Sequence, residues 1–206
     1  MKLYYAETLN PRKACSVARH LQSPLEFVRV DLGSGEQKRL EFLAMNPNGK
    51  VPVLQDGNWS LWESNAIMCF LSDLARSDLW PHDARQVEVI RWLSWDAFHF
   101  MPCGGTLYFE HLIKPRLGMG DPDPATVDRA TAGFRTHARI LDAHLFNRAF
   151  LVGDLLSVAD FAVANILSYA EPAKLPLAEF PSIRRWYARL AALPGWNDPF
   201  PASAQG

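Results

Sequence analysis

Two clusters of residues carry the chemistry this chain could do. The first is Asn46-Pro47-Asn48-Gly49-Lys50-Val51-Pro52-Val53-Leu54, a turn rich in Asn, Pro and Gly that runs straight into a short apolar strand. Pro52 cannot donate a ladder hydrogen bond, so a neighbouring central strand does not belong beside Val51. With a cis Val51-Pro52 bond, as in tight strand-entry turns, the N–H and C=O of Val51 point outward and can pair with an extended peptide. The second cluster is Glu63-Ser64-Asn65, a carboxylate and a hydroxyl at the expected start of a helix. Helix N-termini favour carboxylates through their unpaired N–H groups. An isolated Glu-Ser pair is ordinarily a helix cap, and its place just after the proline turn gives it a further meaning. A backbone edge for the middle of a peptide, a carboxylate for an amino group and a helix start for a carboxyl group describe a receptor for a short zwitterionic peptide.

The elements that must position these residues can be read around them. Leu3-Tyr4-Tyr5 is a short strand, broken by Thr8-Leu9-Asn10-Pro11. Asn10 as N-cap and Pro11 at the first helical position predict a helix, with Ala14, Val17, Ala18 and Leu21 on one face and its end before Pro24. Val28, Val30 and Leu32 alternate with Arg29 and Asp31, which predicts a second strand. A strand-helix-strand crossover of this size places its strands parallel. A short helix over 37–45, a strand over 51–55, a turn at Asp56-Gly57 and a strand over 58–61 follow. A helix over 64–75 then has Ile67, Phe70, Leu71 and Leu74 on one side.

Trp80-Pro81-His82-Asp83 interrupts this pattern, and strand-like alternation does not return. The expected division is a first domain over 1–79, a linker over 80–85 and an all-helical domain over 86–206. A long aromatic helix is expected over 84–101, with Val87, Ile90, Trp92, Leu93, Trp95 and Phe98 apolar, bent at Pro102-Cys103-Gly104-Gly105 and resuming over 106–117. A further helix over 125–146 places Val127, Phe134, Ala138, Leu141 and Leu145 in register. Ser157 and Asp160 form a capping box flanked by Leu156 and Phe161 as a hydrophobic staple, which assigns Asp160 to folding and not to catalysis. The last helix opens at Pro181-Ser182-Ile183, with Trp186 and Leu190 inward, and Pro199 and Pro201 end the order.

Composition narrows the function classes. The chain has 206 residues, 49% of them hydrophobic, and a formal net charge of −1, without a basic run, so nucleic acid is not an expected partner. No apolar run is long enough to span a bilayer and no leader precedes Lys2, so no membrane association and a cytoplasmic location are expected. Cys15, Cys69 and Cys103 are odd in number and widely spaced, which fits buried small hydrophobes better than a disulfide framework or zinc site. His137 and His144 stand two turns apart with no third ligand in view, so no metal is expected.

The stretch Asn46 to Leu54 followed by Glu63-Ser64 resembles the glutathione-binding half of a cytosolic glutathione transferase, and the capping box resembles one in that family's C-terminal domain. The similarity covers about 200 residues and is nearest to bacterial, theta-like and phi-like members with a Ser/Thr-type N-terminal site. It implies an α/β thioredoxin-like N-terminal domain plus an all-α C-terminal domain, joined as a homodimer. It implies that glutathione is the co-substrate, its cysteinyl backbone on Val51 with Pro52 fixing the geometry, its γ-glutamyl amino group on Glu63 and its γ-glutamyl carboxylate on Ser64. Lys50 and Gln37 match positions that reach the glycyl end. Thr8 followed four positions later by Arg12 matches the family's hydroxyl residue, where Ser is more usual, and implies that Thr8 activates the thiol, with Asn10 as a second candidate. Tyr5 is a third candidate for that role, and is otherwise a sheet-face aromatic; Thr8 and Asn10 can equally be a turn closer and a cap.

Because a free thiol has a pKa of about 8.5, lowering it by about two units requires roughly 2.7 kcal/mol, within reach of one charge-assisted hydrogen bond and a helix dipole. No cysteine stands at Thr8, which argues against the cysteine-based thiol-transfer classes. The resemblance further implies a small hydrophobic electrophile held against the helical domain, with Trp95, His99, Phe100 and Cys103 as candidate contacts, although aromatic stripes at helical spacing also build cores. Detoxification by conjugation is the role implied. A non-catalytic binding or scaffold protein, or a glutathione-dependent peroxidase or isomerase, are the alternatives.

Overall fold

The computed structural model describes residues 1–201. It divides into two compact units, Met1–Trp80 together with the segment from Ala191 onward, and Pro81–Leu190. Residues 191–201 therefore belong with the first unit and not with the helical domain expected from the sequence. The reason is local: Trp196 is fully buried, and the segment lies along the first helix. The expected domain also took in 202–206, which lie outside the described residues.

The first unit is built on a four-stranded sheet of order β2-β1-β3-β4, with β1 Lys2–Tyr5, β2 Glu26–Arg29, β3 Val53–Asp56 and β4 Trp59–Trp62. β1 and β2 are parallel, paired Leu3 to Phe27, while β1 to β3 and β3 to β4 are antiparallel. Strand alternation sends Leu3, Tyr5 and Leu54 to one face, where they pack with Ala14, Ala18, Ile67 and Leu71 of α1 (Leu9–His20) and α3 (Ser64–Leu74). The opposite face packs Val53 and Val30 with Phe42 of the short α2 (Leu40–Met45), and Tyr4 adjoins them.

Several boundaries differ from expectation. β2 starts at Glu26, and Val30 only extends it through its N–H bond to the Tyr5 carbonyl at 2.8 Å. α1 starts two residues earlier than expected and its N-cap is Thr8, which puts Asn10 inside the first turn. The 37–45 helix is a 3₁₀ turn at Glu36–Lys38 followed by α2. Leu74 is 57% exposed, and Met68 takes its expected place in the buried face of α3.

The second unit is helical. One run passes through α4 (Arg85–Trp95), a π-helical turn (Asp96–Phe100), α5 (Met101–Tyr108), a second π turn (Phe109–Ile113) and α6 (Lys114–Arg116). The helical run continues through 102–105 without a break, and each proline of the run is preceded by a π turn. Met101 N–H bonds to Asp96 O just before Pro102, and Lys114 N–H bonds to Phe109 O just before Pro115. The wider turn reassigns the carbonyls that a proline nitrogen cannot serve. α4 buries Val89, Trp92 and Leu93, whereas Val87 and Ile90, expected on the apolar face, are exposed.

α7 (Pro124–His144) is capped by Asp123, which accepts from Thr126 N at 2.9 Å, and buries Phe134, Ala138 and Leu141. α8 (Val158–Ala164) is buried throughout, and α9 (Pro181–Ala191) turns Ile183, Trp186 and Leu190 inward. α10 (Pro194–Asn197) belongs to the first unit.

Asp160 organises this helical core, as its place in the sequence predicts. Its carboxylate accepts from Ser157 N and Ser157 Oγ at 2.9 Å, Leu151 N at 2.9 Å and Trp186 Nε1 at 2.8 Å. Burial pushes its pKa up, and the four donors pull against that rise. Asp160→Ala strands these donors in the interior and is expected to cost about 3–5 kcal/mol of stability in urea denaturation. A loss under about 1 kcal/mol contradicts this role.

Candidate functional site

The turn ahead of β3 is held by one side chain. Asn46 is 3% exposed. Its Nδ2 donates to the Lys50 carbonyl at 2.7 Å, and its Oδ1 accepts from Asn48 N at 3.0 Å and Asn48 Nδ2 at 2.9 Å. Gly49 N–H closes on the Asn46 carbonyl at 2.9 Å. Gly49 has φ +57°, and a Cβ there would stand 2.9 Å from the Gln37 carbonyl, so glycine is required on both counts. The Val51-Pro52 bond that follows is cis. The ladder begins only at Val53, which pairs with Tyr4 and Trp62, so Val51 lies ahead of the paired strands.

Beside this turn the chain enters α3 through Glu63, whose backbone adopts φ +72° and ψ +114°. That region is costly for a residue with a side chain, typically about 1–3 kcal/mol, and such strain collects at functional sites. Ser64 follows, 5% exposed at the first position of α3. α1 and α3 are tied together here, since the buried Lys13 ammonium donates to Asn65 Oδ1 at 3.0 Å.

Asn10, Lys50, Val51, Pro52, Glu63 and Ser64 line one cavity of about 50 Å³, together with Asn46 and Asn48. Six of the nine candidate site residues named on this domain from the sequence thus come together. Thr8 is not in the lining. It is the N-cap of α1, extended at φ −133° and ψ 170°, its N–H bonded to Ala6 O at 2.7 Å and its carbonyl accepting from Arg12 N at 3.1 Å. Its hydroxyl makes no capping bond to the helix amides. Gln37 is also outside the lining; its Nε2 approaches the Leu32 carbonyl at 3.4 Å. Tyr5 is 4% exposed in the α1–α3 core, edge-on to Phe27 and stacked on Phe200 at 5.6 Å, and burial raises its pKa. Burial pushes the Cys15 thiol up to about 12, so it remains a protonated thiol at neutral pH.

In the helical unit, Trp95 lines an apolar cavity of about 270 Å³ with Arg91, Trp92, Ile140 and His144. The other three candidates there do not share it. Phe100 is fully buried, stacked on Trp95 at 5.4 Å and tilted against Phe134 at 4.9 Å. Cys103 packs on Gly133, where a Cβ would come within 2.7 Å of its sulfur. The His99 ring lies 5.4 Å from that of His137. Their common stripe faces α7, which is the ordinary fate of aromatics at helical spacing. Among the described residues no group of three or more His, Cys, Asp or Glu is arranged to hold a metal, and no helix is long and apolar enough to cross a membrane.

The sequence placed Asn46 and Asn48 in the turn without giving either side chain a role, and it did not point to Lys13. The Asn-Pro-Asn-Gly composition signalled a turn, and an asparagine that closes on its own backbone is the usual device in one. Nothing in the local pattern marked Lys13 as buried.

A four-stranded sheet with two helices on one face and a cis-proline edge beside a helix start defines a thioredoxin-like domain, here followed by a helical one. The descriptions "Glutathione S-transferase, N-terminal domain" and "Glutathione S-transferase, C-terminal domain" match residues 1–73 and 100–194. Glutathione S-transferase 3 of Zea mays is 32% identical over 201 residues, covering 94% of this chain and 90% of the relative. Disulfide-bond oxidoreductase YfcG of Escherichia coli (strain K12) is 26% identical over 200 residues, covering 93% and 90%. The structure of glutathione S-transferase I from maize in complex with an atrazine glutathione conjugate matches with a TM-score of 0.88 at 28% identity, over 96% of this chain and 95% of the other. The chain belongs to the glutathione S-transferase family.

The strain at Glu63 is testable without a ligand. Glu63→Gly removes the positive-φ penalty but adds the entropy cost of glycine, about 0.5–1 kcal/mol. The expected net result in thermal or urea denaturation is a gain of about 1 kcal/mol. A loss of similar size contradicts a strained Glu63.

Proposed function

We infer that this protein is a glutathione transferase that binds reduced glutathione, stabilises its thiolate and conjugates it to a small electrophile. The observation that carries the reading is the cavity shared by Asn10, Val51, Pro52, Glu63 and Ser64. In this reading Val51 pairs through its backbone with the cysteinyl residue, Glu63 accepts the γ-glutamyl ammonium, and Ser64 donates its hydroxyl and amide to the γ-glutamyl carboxylate at the start of α3. Lys50, and Gln37 from the adjoining 3₁₀ turn, serve the glycyl end. The binding domain is 1–79 and the electrophile is received by helical residues beyond 86, of which Trp95 has an open apolar cavity beside it.

The thiol gives its proton to water and the thiolate sulfur attacks the electrophilic carbon, expelling the leaving group. The protein's part is ionisation and positioning. Thr8 at the N-cap, with its hydroxyl uncommitted to the helix amides, and Asn10 in the cavity wall are the two donors to the thiolate. The Ser/Thr-type site, a homodimer and a cytoplasmic location complete the reading, by family likeness. The Escherichia coli relative's name supports a second reaction of the same thiolate: attack on a disulfide sulfur, with the displaced thiolate as leaving group. Analysis of products from an aryl halide and from a mixed disulfide separates the two.

The test follows thiolate absorbance of bound glutathione against pH. The apparent thiol pKa is expected to lie about two units below that of free glutathione, and the conjugation rate to rise with pH through that value and then level off. Thr8→Ala or Asn10→Ala is expected to return the pKa by about one unit or more. A bound thiol that titrates like the free one contradicts the catalytic reading and leaves a binding protein.

A further inference from the structure

The turn that carries Thr8 and Asn10 is held from the far end of the chain. Arg12 is only 7% exposed. Its Nη2 donates to the Trp196 carbonyl at 2.6 Å, and its guanidinium lies 4.5 Å from the centroid of the Trp196 ring. Trp196 is itself fully buried. Around this contact the segment follows α1 closely. A Cβ at Gly195 would stand 2.7 Å from His20 N and 3.0 Å from Ser16 O, both backbone atoms that cannot step aside. Arg19 meets Asp198 at 3.3 Å and Phe200 stacks on Tyr5. Contacts from 195–200 thus reach from Tyr5, before the turn, to His20, at the end of the helix.

Packing alone does not call for an arginine here. A buried guanidinium is costly unless it is hydrogen-bonded, and an apolar side chain of similar volume fills space more cheaply. What the planar fork adds is direction, since it must meet a carbonyl and lie on a ring at once. Arg12 is also the residue whose backbone N–H closes the first turn on the Thr8 carbonyl. Its side chain is therefore fixed to the carboxy-terminal segment, and its backbone fixes the N-cap. Hydrogen bonds weaken steeply with misalignment, so a small rotation of this turn changes what Thr8 and Asn10 offer a thiolate. Neither Arg12 nor Trp196 lines the cavity.

We propose that Arg12, clamped by Trp196, is a positioning residue for thiol activation, and that segment 194–200 is part of the thiol-activating device. This rests on the thiolate reading given above. Arg12 touches no reacting atom; it sets the direction in which the Thr8 hydroxyl and the Asn10 amide face the sulfur.

The experiment measures two quantities in the full-length protein. One is the pH titration of bound glutathione thiolate; the other is the dissociation constant of S-methylglutathione, which has no thiol proton. Wild type is compared with Arg12→Ala, Trp196→Ala and Gly195→Ala, with the fold checked by circular dichroism. Each variant is expected to raise the bound thiol pKa by about one unit, a tenfold loss of thiolate on the acid side, while S-methylglutathione affinity changes less than about threefold, because the Val51, Glu63 and Ser64 contacts are untouched. The Arg12→Ala/Trp196→Ala double variant is expected to match Arg12→Ala alone, since both act through one contact. Should Arg12→Ala fail to fold, Arg12→Lys, which keeps the charge and loses the planar fork, is expected to give the same rise. Folded variants with a lower melting temperature and an unchanged thiol pKa overturn the proposal and make Arg12 structural. If the wild-type thiol itself titrates like free glutathione, the thiolate reading has failed and the proposal falls with it.

Discussion

One buried amide sets the geometry of the site. Asn46 has to satisfy its own donors and acceptor away from water, and it does so by binding the Lys50 carbonyl and the Asn48 amide on the two sides of the turn. That closes the loop over Gly49 and delivers the chain to Val51 and Pro52 in one orientation. Because β3 starts pairing only at Val53, Val51 is presented ahead of the sheet. Ser60 Oγ reinforces the arrangement by donating to the Met45 carbonyl at the end of α2, so the turn is tied to the strand that leads to Glu63. A buried polar group left unpaired costs about 1–3 kcal/mol, which is why such a loop has a single shape.

The same economy recurs elsewhere in the chain. α1 is buried on every side from Pro11 to Ala18, and its charged residues are accommodated by specific partners, Arg12 by Trp196 and Lys13 by Asn65. In the helical unit Asp160 gathers four donors. Each of these residues connects segments distant in sequence, so polar contacts specify how the elements meet while apolar burial supplies most of the stability. The strain accepted at Glu63 stands against this background: it persists because its neighbours are over-determined.

Much of this was legible in the sequence. The strand alternation of Leu3 to Tyr5, the proline turn, the Glu63-Ser64 helix start and the Ser157–Asp160 box are local signals, and the elements they foretell are in the structure. What was not legible depended on partners far along the chain. Periodicity assigned α1 a single apolar face and gave no sign that Arg12 and Lys13 are buried, because their partners Trp196 and Asn65 lie far along the chain. It also left 191–201 with the helical domain, since nothing within that segment states that Gly195 fits against α1. The π turn ahead of Pro102 was not legible either, because the rule for a proline in an α-helix does not foresee one. Phe100 and Cys103 looked like pocket residues, but a stripe at helical spacing does not say whether it faces a cleft or α7.

We propose that the Asn46 turn and the Glu63-Ser64 helix start together form a receptor for a γ-glutamyl peptide. The most direct test is calorimetric titration of the protein with glutathione and with cysteinylglycine, the dipeptide that keeps the backbone for Val51 and lacks the γ-glutamyl group. Glutathione is expected to bind, and cysteinylglycine to bind at least about thirtyfold more weakly, the loss of about 2 kcal/mol expected for charge-assisted bonds to Glu63 and Ser64. Equal affinities, or no binding of glutathione, contradict it.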